Sequence, residues 1–319
     1  MQRRSRWCGA QPAAPSSAGI TILQLGMNNL KPYLKLLRPS QWIKNGFVLM
    51  PLIFSGDLLM PDAVIKSIGM FIAFCVAASA TYIINDYMDM EQDRLHPKKK
   101  HRPLASGAVA PRSALALSAA LIGALFLVLL LVKTPWLAMA ALCAYLILQL
   151  AYSTYLKHIV IIDVFALSTG FLFRVAGGAA VIDVSVSSWL LLCTFSLAIF
   201  LALGKRRHEV LFLPDDAMNH RPVLESYSML FLDQLLQVVT TSTLIFYCLY
   251  CVRSTPDMGA SPEKLMLTIP FVTYGIFRYM YLIYHKEDGG SPTTLILTDG
   301  PLLACTIFWL MAFIAIIYL

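Results

Sequence analysis

Apolar residues run through this chain in long stretches, and the polar ones gather between them. Nine apolar segments can be drawn, at about residues 41–57, 65–86, 113–132, 135–153, 159–180, 187–204, 233–252, 265–284 and 301–318. Several approach or exceed the ~18 apolar residues that mark a membrane-crossing helix. The runs are continuous rather than alternating, so they predict helices and not the strands of a barrel. The expected fold class is all-α: a polytopic membrane protein of nine transmembrane helices. The first segment is the weakest, because Pro51 interrupts it and it is short of apolar length.

Composition agrees with that pattern. The 319 residues are 58% hydrophobic and 13% charged, with a mean hydropathy of +0.68. A soluble domain carries roughly 25% charged residues. The charges are also sorted by side. With the N-terminus in the cytoplasm, twenty Lys and Arg fall on the inner side and four on the outer side. That asymmetry predicts an N-in, C-out orientation. The net charge of +7 then reports topology, and nucleic acid is not an expected partner. Seven cysteines lie mostly inside the segments; Cys248 and Cys251 form a C-x-x-C, but zinc needs two more ligands and none lies nearby. Apolar packing is the expected role of these thiols. Residues 1–26 are rich in Pro, Ala and Ser and lack the apolar core of a signal peptide. The expected organisation is a disordered tail over residues 1–30, with Met27 as an alternative start, and one transmembrane catalytic domain over 31–319.

Dense polar sequence collects on the cytoplasmic side. The longest such stretch is NDYMDMEQDRLHPKKKHRP, residues 85–103. Asp86, Asp89 and Asp93 are spaced i, i+3 and i+7, which places them within roughly 60° of one helix face; Asn85 sits at its edge. A solvated helix end explains the polarity but not the spacing. Hard oxygen ligands favour Mg²⁺, which is usually held by one or two carboxylates plus substrate phosphates. The stretch then turns basic through His96, Lys98, Lys99, Lys100, His101 and Arg102. Lysines alone would serve as membrane-surface anchors. Placed beside the acids, they and Arg102 suit a clamp on phosphate oxygens.

Three further polar patches follow. In YSTYLKH, residues 152–158, Tyr152 and Lys157 are expected at the membrane mouth, as interfacial anchors or as ligands. In FLFRVAGG, residues 171–178, Arg174 is read as the one intramembrane charge. It should face the protein interior or water, paired either with an acid or with a phosphate. Gly177 and Gly178 permit close helix approach beside it. In GKRRHE, residues 204–209, Lys205, Arg206 and Glu209 fall within about one turn, either as a basic helix end or as part of a site. QWIKNG, residues 41–46, adds Lys44 and Asn45 at the entry to the first segment.

Together these residues resemble a known family. N-D-x-x-D-x-x-x-D at the end of the second segment, then basic residues and R-P-L-x-S-G, looks like the first signature of the UbiA superfamily of intramembrane prenyltransferases, and the resemblance runs from about residue 31 to 319. Aromatic prenyltransferases of that superfamily carry a second D-x-x-x-D after the sixth span; here GKRRHE stands instead. YSTYLKH sets its Lys one place later than the prenyltransferase Y-P-x-x-K. With LRPSQWIKN (37–45) and FLFRVAGG, these departures resemble one branch, the decaprenyl-phosphate phosphoribosyltransferases. That resemblance implies Mg²⁺-dependent transfer of 5-phosphoribose from 5-phosphoribosyl 1-diphosphate to a polyprenyl phosphate, for cell-envelope arabinan synthesis. It implies a multi-pass protein of the cell's inner membrane with its site facing the cytoplasm. It also implies Asp86, Asp89 and Asp93 as catalytic metal ligands. Lys44, Asn45, Asn85, Lys99, Lys100, Arg102, Tyr152, Lys157, Arg174, Lys205, Arg206 and Glu209 would bind substrate. A homo-oligomer is compatible with all of this. The rival readings are an aromatic prenyltransferase of the same superfamily, a transporter of lipid or metabolite, and a structural anchor.

Overall fold

The computed structural model describes residues 30–95, 99–212, 222–253, 261–286, 290 and 292–319. The expected tail lies outside the described residues except for Leu30, as do His96 and Lys98 of the basic run. Among the described residues the chain is helical, with no strand. Residues 30–37 form α1, a stretch of 3₁₀-helix follows over Pro39–Leu49, and α2 covers Met50–Phe54. The long helices are α3 (Pro61–Met88), α5 (Pro111–Leu131), α6 (Trp136–Thr154), α7 (Ile162–Val181), α8 (Ser188–Phe212), α9 (Met229–Arg253), α11 (Ile269–His285) and α13 (Gly300–Tyr318). Short helices α4 (Met90–Leu95), α10 (Pro262–Met266) and α12 (Pro292–Thr298) lie between them.

Among the described residues, eight helices, α10 and α11 counted as one, are long and apolar enough to cross a membrane. They match eight of the nine expected segments. The ninth, 41–57, is not among them. Pro39 and Pro51 bracket the stretch, and each lacks the N–H that a continuous helix would need. Gln41, Lys44 and Asn45 also break its apolar run. The segment packs instead against α3 and α7, with Asn45 and Val48 fully buried. The α7 side of that contact needs glycine: a Cβ at Gly178 would come within 1.9 Å of the Val48 carbonyl oxygen.

Two apolar cores flank the middle of the bundle. One joins α3, α5, α6 and α7 around Phe74, Leu142 and Tyr145. The other joins α8, α9 and α11 around Phe200, Leu232 and Tyr279. The seam between α7 and α8 links them. The exits of α3, α6 and α8 and the entrance of α7 meet at one end of the bundle, where a cavity of about 370 Å³ opens.

Candidate active site

The acid cluster forms where α3 gives way to α4. The backbone bends at Asp89, yet helical hydrogen bonding continues through the bend: Asp89 N–H donates to the Asn85 carbonyl at 3.0 Å, and Asp93 N–H to the Asp89 carbonyl at 2.8 Å. The i, i+7 pair therefore stays on one side. Arg102 Nη1 donates to both Asp86 Oδ1 (3.1 Å) and Asp93 Oδ2 (2.5 Å). Asp86, only 2% exposed, also binds Arg38. Lys99 lies 4.0 Å from Asp93. Asp89 turns to a different set: it pairs with Lys157 and accepts from Asn85 Nδ2 at 3.1 Å.

This donor set suits a hard divalent cation. It consists of carboxylate oxygens, two of which converge on the point held by one guanidinium nitrogen. Among the described residues, no three acid, His or Cys side chains are gathered around a common centre. The fit is thus to Mg²⁺ held by one or two carboxylates with phosphate and water completing its shell, rather than to an all-protein cage of three aspartates.

Deeper in the cavity the chemistry is cationic and apolar. Arg174 of α7 is 4% exposed. Its Nε donates to Asn45 Oδ1 (2.7 Å), Nη1 to the Gly170 carbonyl (2.8 Å) and Nη2 to the Tyr145 hydroxyl (3.1 Å). The guanidinium also lies 4.6 Å from the Tyr145 ring centre and 5.1 Å from that of Phe171. Among the described residues it has no carboxylate partner. Lys44 likewise has none, and it lines the cavity with Arg174, Leu167 and Phe171.

Lys205 and Glu209 face the cavity from α8, with 3.7 Å between their charged atoms. Arg206 does not face it. It is 1% exposed and holds Asp163 through Nε at 2.7 Å, Glu209 through Nη1, and the Tyr152 hydroxyl through Nη2 at 3.4 Å. Asp163, in the first turn of α7, is fully buried and also accepts from the Tyr227 hydroxyl at 2.7 Å. Arg206 is therefore a buried strut behind the wall, and Arg174 is not the only charge within the expected spans. An acid in the first turn of an apolar run is the sequence signal that exposes Asp163.

Of the residues expected to bind substrate, Lys44, Asn85, Lys99, Arg102, Tyr152, Lys157, Arg174, Lys205 and Glu209 line the cavity together with Asp89 and Asp93. Asp86, Asn45 and Arg206 stand one layer behind, and Lys100 is exposed away from the wall. Arg38, Gln41, Gln92, Gln149, Ser153 and His158 also line it, and sequence reasoning missed them as site residues. Arg38 was legible only as topology charge. A positive φ of 49° carries the backbone past Pro39 and leaves its side chain over the Tyr82 ring, bound to Asp86.

A model of the UbiA prenyltransferase family matches residues 49–298. The chain belongs to the UbiA prenyltransferase family. Among the relatives, the decaprenyl-phosphate phosphoribosyltransferase of Corynebacterium glutamicum is 33% identical over 290 residues, covering 90% of this chain and 86% of that protein. The protein of the same name from Mycolicibacterium smegmatis is 34% identical over 308 residues, covering 91% and 94%. In fold, the chain resembles a UbiA homolog from Archaeoglobus fulgidus solved with GPP and Mg²⁺, at a TM-score of 0.68 and 18% identity, covering 91% of this chain and all of that one. The UbiA likeness read from the Asn85–Gly107 signature thus holds across the chain.

Proposed function

We propose that this UbiA-family chain is a polyprenyl-phosphate phosphoribosyltransferase. It moves 5-phosphoribose from 5-phosphoribosyl 1-diphosphate to a polyprenyl phosphate and releases diphosphate. The observation that carries this reading is the imbalance of the cavity: one acid cluster faces cations on several walls, and two of them, Arg174 and Lys44, have no carboxylate partner among the described residues. Prenyl transfer to an aromatic ring brings one diphosphate to the site. Phosphoribosyl transfer brings a diphosphate, a sugar 5-phosphate and a lipid phosphate, and such a load calls for cations. Relatives at 33–34% identity that bear this activity in their names support it.

One or two of the carboxylates Asp86, Asp89 and Asp93 would hold Mg²⁺, with phosphate and water completing its shell; a fold neighbour solved with Mg²⁺ supports a metal in this family. When bound, the metal supplies positive charge against the leaving diphosphate. Arg102, Lys99 and Lys157 sit on the carboxylates at the mouth and are placed to meet phosphate oxygens there. An oxygen of the lipid phosphate forms a bond to the anomeric carbon as that carbon's bond to diphosphate breaks, and the electron pair leaves with diphosphate. The carbon gains oxocarbenium-like charge and its configuration inverts. The acceptor phosphate is already ionised, with a second pKa of about 6, so no general base is required. Glu209, braced by Arg206, faces the cavity where a ribose hydroxyl would lie. In this reading the segment at about residues 41–57 completes a ninth crossing, the N-terminus is cytoplasmic, and the cavity opens to the cytoplasm at the inner membrane, supplying cell-envelope polysaccharide synthesis.

The test is direct. Purified chain given radiolabelled phosphoribosyl diphosphate, Mg²⁺ and decaprenyl phosphate should yield a labelled lipid. Asp86→Asn combined with Asp89→Asn should abolish it. Label that moves only from a prenyl diphosphate to an aromatic acid would refute the proposal.

A further inference from the structure

The cavity has two chemically distinct ends, and the proposed reaction brings two anions that differ in one respect: one is attached to a hydrocarbon chain. The mouth is built from the α3–α4 acids with Arg102, Lys99 and Lys157, all on or near loops. The other end lies within the bundle. Arg174 Nη1 is tied to the carbonyl of Gly170, eight residues into α7, or about 12 Å along the helix at ~1.5 Å per residue. At that depth the wall carries Leu167 and Phe171, with Phe47 edge-on to Phe171 at 4.9 Å, beside the amide of Gln149, which reaches close to Gly170. A phosphate carrying an isoprenoid offers one anion and apolar surface, which the cations and the apolar side chains there suit.

The cationic groups there are arranged for a ligand rather than for the protein. A buried arginine without a counter-ion is costly, and more so inside a membrane helix. Here the guanidinium is oriented by neutral groups: Asn45 Oδ1, the Gly170 carbonyl and the Tyr145 hydroxyl. Asn45 is itself fixed, donating through Nδ2 to Cys75 Sγ at 3.3 Å. Each terminal nitrogen of Arg174 retains an N–H beyond the bonds it makes. Lys44 faces the same space from the 39–49 segment, with no carboxylate among the described residues.

Resting on the phosphoribosyl-transfer reading, we infer that Arg174 and Lys44, oriented by Asn45, form the subsite for the phosphate of the acceptor lipid, while the mouth takes the sugar diphosphate. The lipid enters the cavity from its deep, apolar end, and its phosphate meets the anomeric carbon from the side opposite the leaving group, as inversion requires.

Steady-state kinetics with the purified full chain tests the assignment, with decaprenyl phosphate and phosphoribosyl diphosphate varied in turn. Arg174→Gln and Lys44→Gln should raise the KM for decaprenyl phosphate by about tenfold to a hundredfold, the worth of one hydrogen bond to a charged group. The KM for phosphoribosyl diphosphate should stay within about twofold. Lys99→Gln should do the reverse. Lys44→Gln breaks no hydrogen bond or ion pair among the described residues, so it keeps the test alive if Arg174→Gln fails to fold. Variants at the deep end that raise the donor's KM, or both KM values alike, overturn the subsite while leaving the transfer activity intact. A wild-type chain that makes no labelled lipid overturns the subsite together with the reading beneath it.

Discussion

Arg174 on α7 and Arg206 on α8 are both buried, at 4% and 1% exposure, and the protein surrounds them in opposite ways. Arg206 touches two carboxylates, Asp163 and Glu209, and braces the cavity wall from behind. Among the described residues Arg174 is held by neutral oxygens and aromatic rings, and it faces the cavity. Type and burial do not distinguish the two side chains; the counter-ion does. A buried cation that the fold has neutralised is part of the scaffold. One that the fold orients and leaves uncompensated is a place for an anion to bind.

The widest gap between the two should appear in stability. Arg206→Met strands the fully buried Asp163, while Glu209 keeps Lys205, and loss of one partner of a buried pair costs about 3–5 kcal/mol. Thermal unfolding of detergent-solubilised protein should show a sharply lowered midpoint. Adding Asp163→Leu should recover much of the loss, because an apolar pair of similar volume avoids the desolvation cost. An Arg206→Met protein as stable as wild type would erase the distinction between the two arginines.

Arg174→Gln should give the mirror image. No carboxylate is stranded, so the unfolding midpoint should move little, within about 1 kcal/mol of wild type. Transfer of label at subsaturating lipid should fall by about tenfold to a hundredfold. Strong destabilisation instead would mark Arg174 as a second strut. A finer cut comes from the hydroxyls. Tyr145→Phe removes one orienting contact from Arg174 and should cost about 1 kcal/mol or less of transition-state stabilisation, read as a severalfold drop in kcat/KM. Tyr152→Phe removes the 3.4 Å contact to Arg206 and should lower the unfolding midpoint far less than Arg206→Met does.

Much of this was legible in the sequence. Hydropathy alone drew the long helices α3, α5, α6, α7, α8, α9, α11 and α13, because each is a nearly continuous apolar run with polar ends. The first segment does not form a regular α-helix, because its prolines and the trio Gln41, Lys44 and Asn45 serve the cavity and the groups behind it. At the site, the spacing of Asp86 and Asp93 was readable, since i, i+7 survives the bend at Asp89. Which cation meets which acid was not. Arg38 reaches Asp86 across 48 residues of sequence and Lys157 reaches Asp89 across 68, and no local pattern encodes such pairings. GKRRHE showed that charge gathers at the end of α8, but not that Lys205 faces inward while its neighbour Arg206 turns back to Asp163. That division follows from the helical rotation of about 100° between adjacent residues, set against neighbours that only the fold supplies.

Ligand-linked stability tests the central claim most directly. A ligand that binds the folded state raises its unfolding midpoint. Decaprenyl phosphate should raise the midpoint of the wild-type chain and leave Arg174→Gln nearly unmoved, while phosphoribosyl diphosphate with Mg²⁺ raises both. If decaprenyl phosphate stabilises Arg174→Gln as much as wild type, Arg174 does not bind the lipid phosphate, and the account of its missing counter-ion is wrong.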